Sequence, residues 1–149
     1  MGKSINLIIL EGGTIYDPYK NKKKAGSILI EDGVVKEVGK VTTPDNAQKI
    51  DCAGKLIVPG LIDIHAHFRE PGREDKETLA TGARAAFSGG FTRVCVMPNT
   101  DPPLDSPEAI RFIIEKSADL PVKIFPIGAI TFGQKGLELT EFGEMVKAG

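Results

Sequence analysis

The chain has 149 residues, with 19 Lys and Arg against 20 Asp and Glu, a net charge of -1, 41% hydrophobic and 26% charged residues, and a mean hydropathy of -0.07. This is the length of one domain, since domains run about 100–200 residues, and the composition excludes a disordered or membrane-embedded chain. So small a charge supplies no field to gather nucleic acid or acidic lipid, and the local run Lys20, Lys22, Lys23, Lys24 reads as a solvated loop tip.

The first four apolar residues in a row, Leu7 to Leu10, are too few for the roughly 7–15 of a leader core, and no stretch reaches the ~18 of a membrane span, so a cytoplasmic protein is expected. Short strands are predicted at Leu7–Leu10, Thr14–Tyr16, Ser27–Ile30 and Val34–Val38. Asp32-Gly33 between β-branched runs marks a hairpin of type I′, which needs positive φ at both central positions. One more strand is predicted around Gln48–Cys52, with a turn at Ala53-Gly54. Cys52 and Cys95 form no disulfide framework; Cys95, inside Val94-Cys95-Val96-Met97, reads as a small buried hydrophobe in a reducing compartment.

From Lys55 the texture changes. Leu61 to His65 is an apolar run that suits a strand buried on both faces of a parallel sheet. A helix follows over Glu77–Phe87, with Leu79, Ala83, Ala86 and Phe87 as its stripe and Gly89-Gly90 as its stop. Then come a strand at Thr92–Met97, a loop over Pro98–Asp105, and a helix opened by Ser106 and Pro107 with Ala109, Ile110, Ile113 and Ile114 as its stripe. Val122–Ile127 is the third strand and Thr140–Ala148 the third helix. Strand and helix alternating at about 30 residues per pair is the pattern of right-handed βαβ units, hence an α/β fold with a parallel sheet. A closed eightfold barrel takes about 250 residues, so the chain is either the beginning of a longer protein or a small open α/β fold.

The chemistry concentrates in Asp63-Ile64-His65-Ala66-His67-Phe68-Arg69-Glu70-Pro71-Gly72. Strand alternation puts Asp63, His65 and His67 on one face, where two imidazoles at i and i+2 can reach the same ion. Neutral imidazole suits zinc, and catalytic zinc takes about three protein ligands with a place left for water. A bare His-x-His is weak by itself, but this pair sits at the C-terminal end of the first parallel strand, where α/β folds build active sites. Asp63 is either a residue that orients these ligands or a plain acceptor for a strand-end N–H. Arg69 could grip a carboxylate through its planar fork, or be a surface charge. Asn99, in Met97-Pro98-Asn99-Thr100-Asp101-Pro102-Pro103, falls on the same rim and could read a carboxylate or amide, or simply form a turn.

Taken together, the His65–Gly72 stretch, Glu74-Asp75-Lys76-Glu77-Thr78, the Gly89-Gly90-Phe91-Thr92 junction and the Met97–Pro103 stretch resemble dihydroorotases of the long bacterial type, within the cyclic amidohydrolases. The resemblance covers essentially the whole chain. It implies an α/β fold comprising the N-terminal part of a (β/α)8 barrel, about three βα units over residues 59–149, preceded by a small β-sandwich-like region over 1–58. It implies zinc-dependent, reversible hydrolysis of L-dihydroorotate to N-carbamoyl-L-aspartate in pyrimidine synthesis, with one or two zinc ions in the complete site. His65 and His67 would be metal ligands, and His67, Arg69 and Asn99 would contact substrate. The family pattern continues with an aspartate ligand, two more histidines and an acid/base aspartate past Gly149, so no catalytic acid/base is expected within this chain, which alone should be silent.

Two other readings stand beside this one. Allantoinases and hydantoinases share the His-x-His start, although Phe68-Arg69-Glu70 with Asn99-Thr100-Asp101-Pro102-Pro103 favours dihydroorotase. A non-catalytic dihydroorotase-like scaffold supporting aspartate transcarbamoylase would usually have lost ligands, whereas His65 and His67 are both present. Unpaired outer strands of an open parallel sheet invite association, so a homo-oligomer is expected, with aspartate transcarbamoylase as a further candidate partner.

Overall fold

The computed structural model describes residues 6–149, which divide into two compact units, Met1–Pro59 and Gly60–Gly149. Residues 1–5, where the reading of a missing leader begins, lie outside the described residues.

The first unit is a single five-stranded sheet of β1 (Leu7–Asp17), β2 (Lys22–Glu31), β3 (Val34–Gly39), β4 (Gln48–Asp51) and β5 (Leu56–Ile57), in the order β3-β2-β1-β4 with β5 also on β1. All five strands join through β1 into one hydrogen-bonded network. The physical reason lies in β1, one long strand where two were expected. A register shift between Leu10 and Gly13 divides it, so that β4 pairs its first half and β5 its second, both in parallel. Such a bulge bends a strand and lets one chain segment serve partners at both ends. Asp32 and Gly33 turn with φ of 47° and 79°, both positive, as the type I′ reading requires.

The lysine run is a correction. Lys22, Lys23 and Lys24 belong to β2, paired with Asp17, Tyr16 and Ile15, and only Lys20 lies in the turn. All remain exposed, because their long stems reach water from either face of a strand as readily as from a loop.

The second unit places β6 (Leu61–Ala66), β7 (Phe91–Val96) and β8 (Lys123–Pro126) in a parallel sheet of that order, connected by α1 (Leu79–Ser88) and α2 (Pro107–Lys116) and followed by α3 (Phe142–Ala148). Thr78 caps α1 reciprocally: its Oγ1 accepts from Thr81 N–H at 3.1 Å, and its own N–H donates to Thr81 Oγ1 at 2.9 Å. Ser106 caps α2 by accepting from Ala109 N–H at 3.3 Å, with Pro107 in the first turn. One core joins the layers: Phe68, Leu79, Ala83, Val94, Val96, Leu104, Ile110, Ile113, Val122, Ile124 and Met145. Helix α1 comes so close to the strand end that a Cβ on Gly82 would stand 2.7 Å from the Phe68 ring.

Three expectations fail here for identifiable reasons. The β6 run is not buried on both faces; Ile62 and Ile64 are 53% and 75% exposed, because β6 is an edge strand paired among the described residues with β7 alone. Phe87 is 61% exposed, while its neighbour Ala86 is the residue of that turn packed against the core. Cys95 is only half-buried, since alternation sends Val94 and Val96 into the helix-covered face and Cys95 to the other. Among the described residues no helix is long and apolar enough to cross a membrane.

Candidate functional site

The end of β6 carries the site. Its strand alternation turns His65 outward, and His67 lies one residue past the strand. The two rings meet edge to face with centroids 5.0 Å apart, and their Nε2 atoms face each other at 3.1 Å. Two nitrogens bound to one tetrahedral zinc at ordinary bond lengths stand about 3.3 Å apart, so the pair already has the spacing of two ligands on one ion. Both rings are exposed, so a cation held between them would stay open to further ligands and to water.

The tautomer follows from the other nitrogen of His67. Its Nδ1 lies 2.8 Å from Oδ1 of Asn99, and an amide oxygen can only accept, so Nδ1 carries the proton and Nε2 the lone pair. A hydrogen bond on the far nitrogen is the usual means by which proteins aim a metal-binding imidazole. Asn99 belongs to the loop after β7, thirty-two positions along the chain, and only the parallel pairing of β6 with β7 brings it here. Its engaged oxygen leaves the amide N–H groups free to donate elsewhere.

Asp63 accepts through its Oδ1 from the backbone N–H of His65 at 2.9 Å, as its reading as a strand-end acceptor expects. Arg69 opens the loop half-buried, its carbonyl accepting from Arg73 N–H at 2.9 Å, and its guanidinium enters no ion pair among the described residues. Thus the fold brings His65, His67 and Asn99 into contact, while Arg69 makes no hydrogen bond to any of the three among the described residues. No third His, Cys, Asp or Glu converges on the pair among the described residues.

Sequence reasoning missed what holds this rim in place. Glu70 is only 3% exposed; its Oε2 accepts from Leu79 N–H at 2.7 Å, at the first turn of α1, and its Oε1 pairs with Lys116 at the end of α2. A charge so buried is retained where both partners satisfy it, and nothing local in the sequence marks a partner forty-six positions away. Further along, Asp75 grips Arg73 through two bonds of 3.0 and 3.1 Å, which hold the Asp75 carboxyl below and the Arg73 guanidinium above their ordinary values. The Glu74 carboxyl is likewise lowered, first by the Gly72 N–H that donates to it at 3.0 Å.

Residues 54–149 match the family described as dihydro-orotase-like. The chain is 46% identical over 143 residues to the dihydroorotase of Acetivibrio thermocellus, covering 95% of this chain and 34% of that protein. It is also 46% identical over 142 residues to the dihydroorotase of Pelotomaculum thermopropionicum, at 95% and 33%. It therefore spans about a third of the length of the curated relatives it matches. Among solved structures, the L-hydantoinase (dihydropyrimidinase) of Arthrobacter aurescens superposes with a TM-score of 0.76 at 24% identity, over 83% of this chain and 28% of that one. That likeness is one of fold. By the match over its residues 54–149 and its identity to these enzymes, the chain belongs to the dihydro-orotase-like family.

Proposed function

We propose that this chain supplies the amino-terminal part of a zinc-dependent dihydroorotase, which interconverts L-dihydroorotate plus water and N-carbamoyl-L-aspartate. The observation that carries the reading is the facing pair of Nε2 atoms at 3.1 Å with the second nitrogen of His67 engaged by Asn99. Identity of 46% to dihydroorotases, against a fold likeness at 24% to a hydantoinase, favours this cyclic substrate over a hydantoin. In this reading residues 1–58 form the small β-rich region and 59–149 the opening βα units of a (β/α)8 barrel, which the parallel order β6-β7-β8 supports. The complete protein is cytoplasmic and oligomeric, with aspartate transcarbamoylase as a candidate partner.

His65 and His67 hold the metal in this proposal. Zinc, when bound, supplies Lewis acidity to the ring carbonyl and acidifies the attacking water. The chain's own residues hold the substrate. Asn99, with its oxygen committed to His67, has only N–H groups to offer a ligand, and these donate to the substrate carboxylate. Arg69, two residues past His67 and in no ion pair among the described residues, adds the two parallel bonds that a guanidinium makes to a carboxylate. His67 borders the substrate from the metal side. Two ligands fall short of the about three of a catalytic zinc site, so the 149-residue chain alone is expected to be silent.

Zinc titration of the purified chain tests the site. The expected result is binding that His65→Ala and His67→Ala each abolish; undiminished binding in both variants overturns the assignment. Turnover of dihydroorotate by the 149-residue chain would overturn the expectation of silence.

A further inference from the structure

The two loops that carry the candidate site also meet away from its chemistry. Gly72, with φ 99°, lies against Asp101: a Cβ built on it would stand 2.7 Å from Asp101 Cβ, 2.8 Å from the Asp101 carbonyl carbon, and closer still to the carbonyl oxygen. The Asp101 N–H donates to the Pro71 carbonyl at 3.0 Å. Each loop is separately tied down, the first by Glu70 to both helices and the second by Leu104, fully buried, whose N–H donates to the Pro98 carbonyl at 3.0 Å. Asp101 is two residues past Asn99, and Gly72 is three past Arg69. The contact therefore fixes the distance between the loop that carries His67 and the loop that carries its acceptor.

We propose that Gly72 and Asp101 form a positioning clamp, which holds Asn99 within reach of His67 and thereby selects the Nδ1–H tautomer that turns the Nε2 lone pair toward His65. Its consequence for zinc rests on the metal reading above; its consequence for the tautomer does not. Magnitudes decide that the clamp matters. The 2.8 Å bond from His67 to Asn99 fails beyond about 3.5 Å, which leaves about 0.7 Å of slack. A side chain at Gly72 meets backbone atoms, which cannot swing aside, and clearing them takes on the order of 1 Å of loop separation. The left-handed φ of Gly72 adds backbone strain for any other residue.

Gly72→Ala tests this, with Gly54→Ala as its control. Gly54 has a similar φ of 72° but open space around it, so the control carries the backbone strain without the collision. The chain has just two histidines, so ring nitrogen spectra at a pH where both are neutral read each tautomer directly. The unsubstituted chain and Gly54→Ala are expected to hold His67 as Nδ1–H, while Gly72→Ala gives a mixture and weakens zinc binding by about tenfold or more. A Gly72→Ala chain with the parental tautomer and zinc affinity overturns the clamp, as does a parental His67 that reads as Nε2–H. Should Gly72→Ala fail to fold, hydrogen exchange in the unsubstituted chain decides. Coupling is reciprocal, so saturating zinc should slow exchange at the Asp101 amide by about the same tenfold, and an unchanged rate overturns the proposal. If the parental chain takes up no zinc, the metal reading falls, and its His67 tautomer still decides the clamp.

Discussion

The two units are held by different physics. In the first, the buried apolar side chains are few, Ile9, Leu29 and Cys52, and Val34, Val35 and Val38 on β3 are all more than half exposed. Order there rests on backbone pairing and on turns that fix register. In the second, eleven buried side chains from two strands, three loop segments and three helices form one cluster, and the loops bearing the candidate site rest on it. The lesson is that precision of side-chain placement goes with the packed unit, whereas the paired unit needs only its hydrogen-bond ladder and its bends.

The chromophores allow this contrast to be broken experimentally. Both tyrosines, Tyr16 and Tyr19, lie in the first unit, all seven phenylalanines lie in the second, and there is no tryptophan. Tyrosine fluorescence therefore reports the first unit and helical dichroism the second, which holds every described α-helix. The largest effect is expected for Leu79→Ala. Leu79 is 1% exposed, and its truncation should lower the stability read by the helical signal in urea by about 2–5 kcal/mol. Next is Gly33→Ala, which places a Cβ at φ 79° and should cost about 1–2 kcal/mol in the tyrosine-reported transition. Val35→Ala, on the exposed β3, should move that transition by less than about 0.5 kcal/mol. A Val35→Ala effect as large as that of Leu79→Ala would show that the first unit, too, depends on apolar packing.

The smallest effect sharpens the comparison through pH. Glu108, in the first turn of α2, is held below its ordinary value of 4.5, first by the backbone N–H of its own residue and then by Ser106 and Arg111. The folded chain thus binds this proton less readily than the unfolded one. Its contribution is complete above pH 4.5 and declines as pH falls through the lowered folded value. Glu108→Gln should flatten that part of the acid dependence of the helical signal and leave the tyrosine signal unchanged.

Local chemistry was legible in the sequence. Asp32-Gly33 and Ser106-Pro107 each declare their role within a few residues and stand where that role requires, and the spacing of His65 and His67 foretells two rings within reach of each other. The extent of β1 was not legible, because Glu11-Gly12-Gly13 reads as a break while the parallel partners β4 and β5, more than thirty residues on, keep the strand continuous. The exposure of Ile64 was missed for a related reason: an apolar run announces that it wants cover without saying whether any neighbour supplies it. The bond from His67 to Asn99 and the pairing of Glu70 with Lys116 join residues that only the βαβ topology brings together. The candidate residues could be picked out along the chain, but the bonds that join them could not.

The notch that Gly82 leaves for the Phe68 ring has a bearing on how this protein tolerates change. Phe68 stands between His67 and Arg69, so a methyl group at Gly82 would be felt as a displaced backbone between two residues proposed to meet zinc and substrate. In a saturation scan, position 82 should look as intolerant as a histidine ligand while carrying no reactive atom, and a catalogue of the site drawn up from chemistry alone would leave it out.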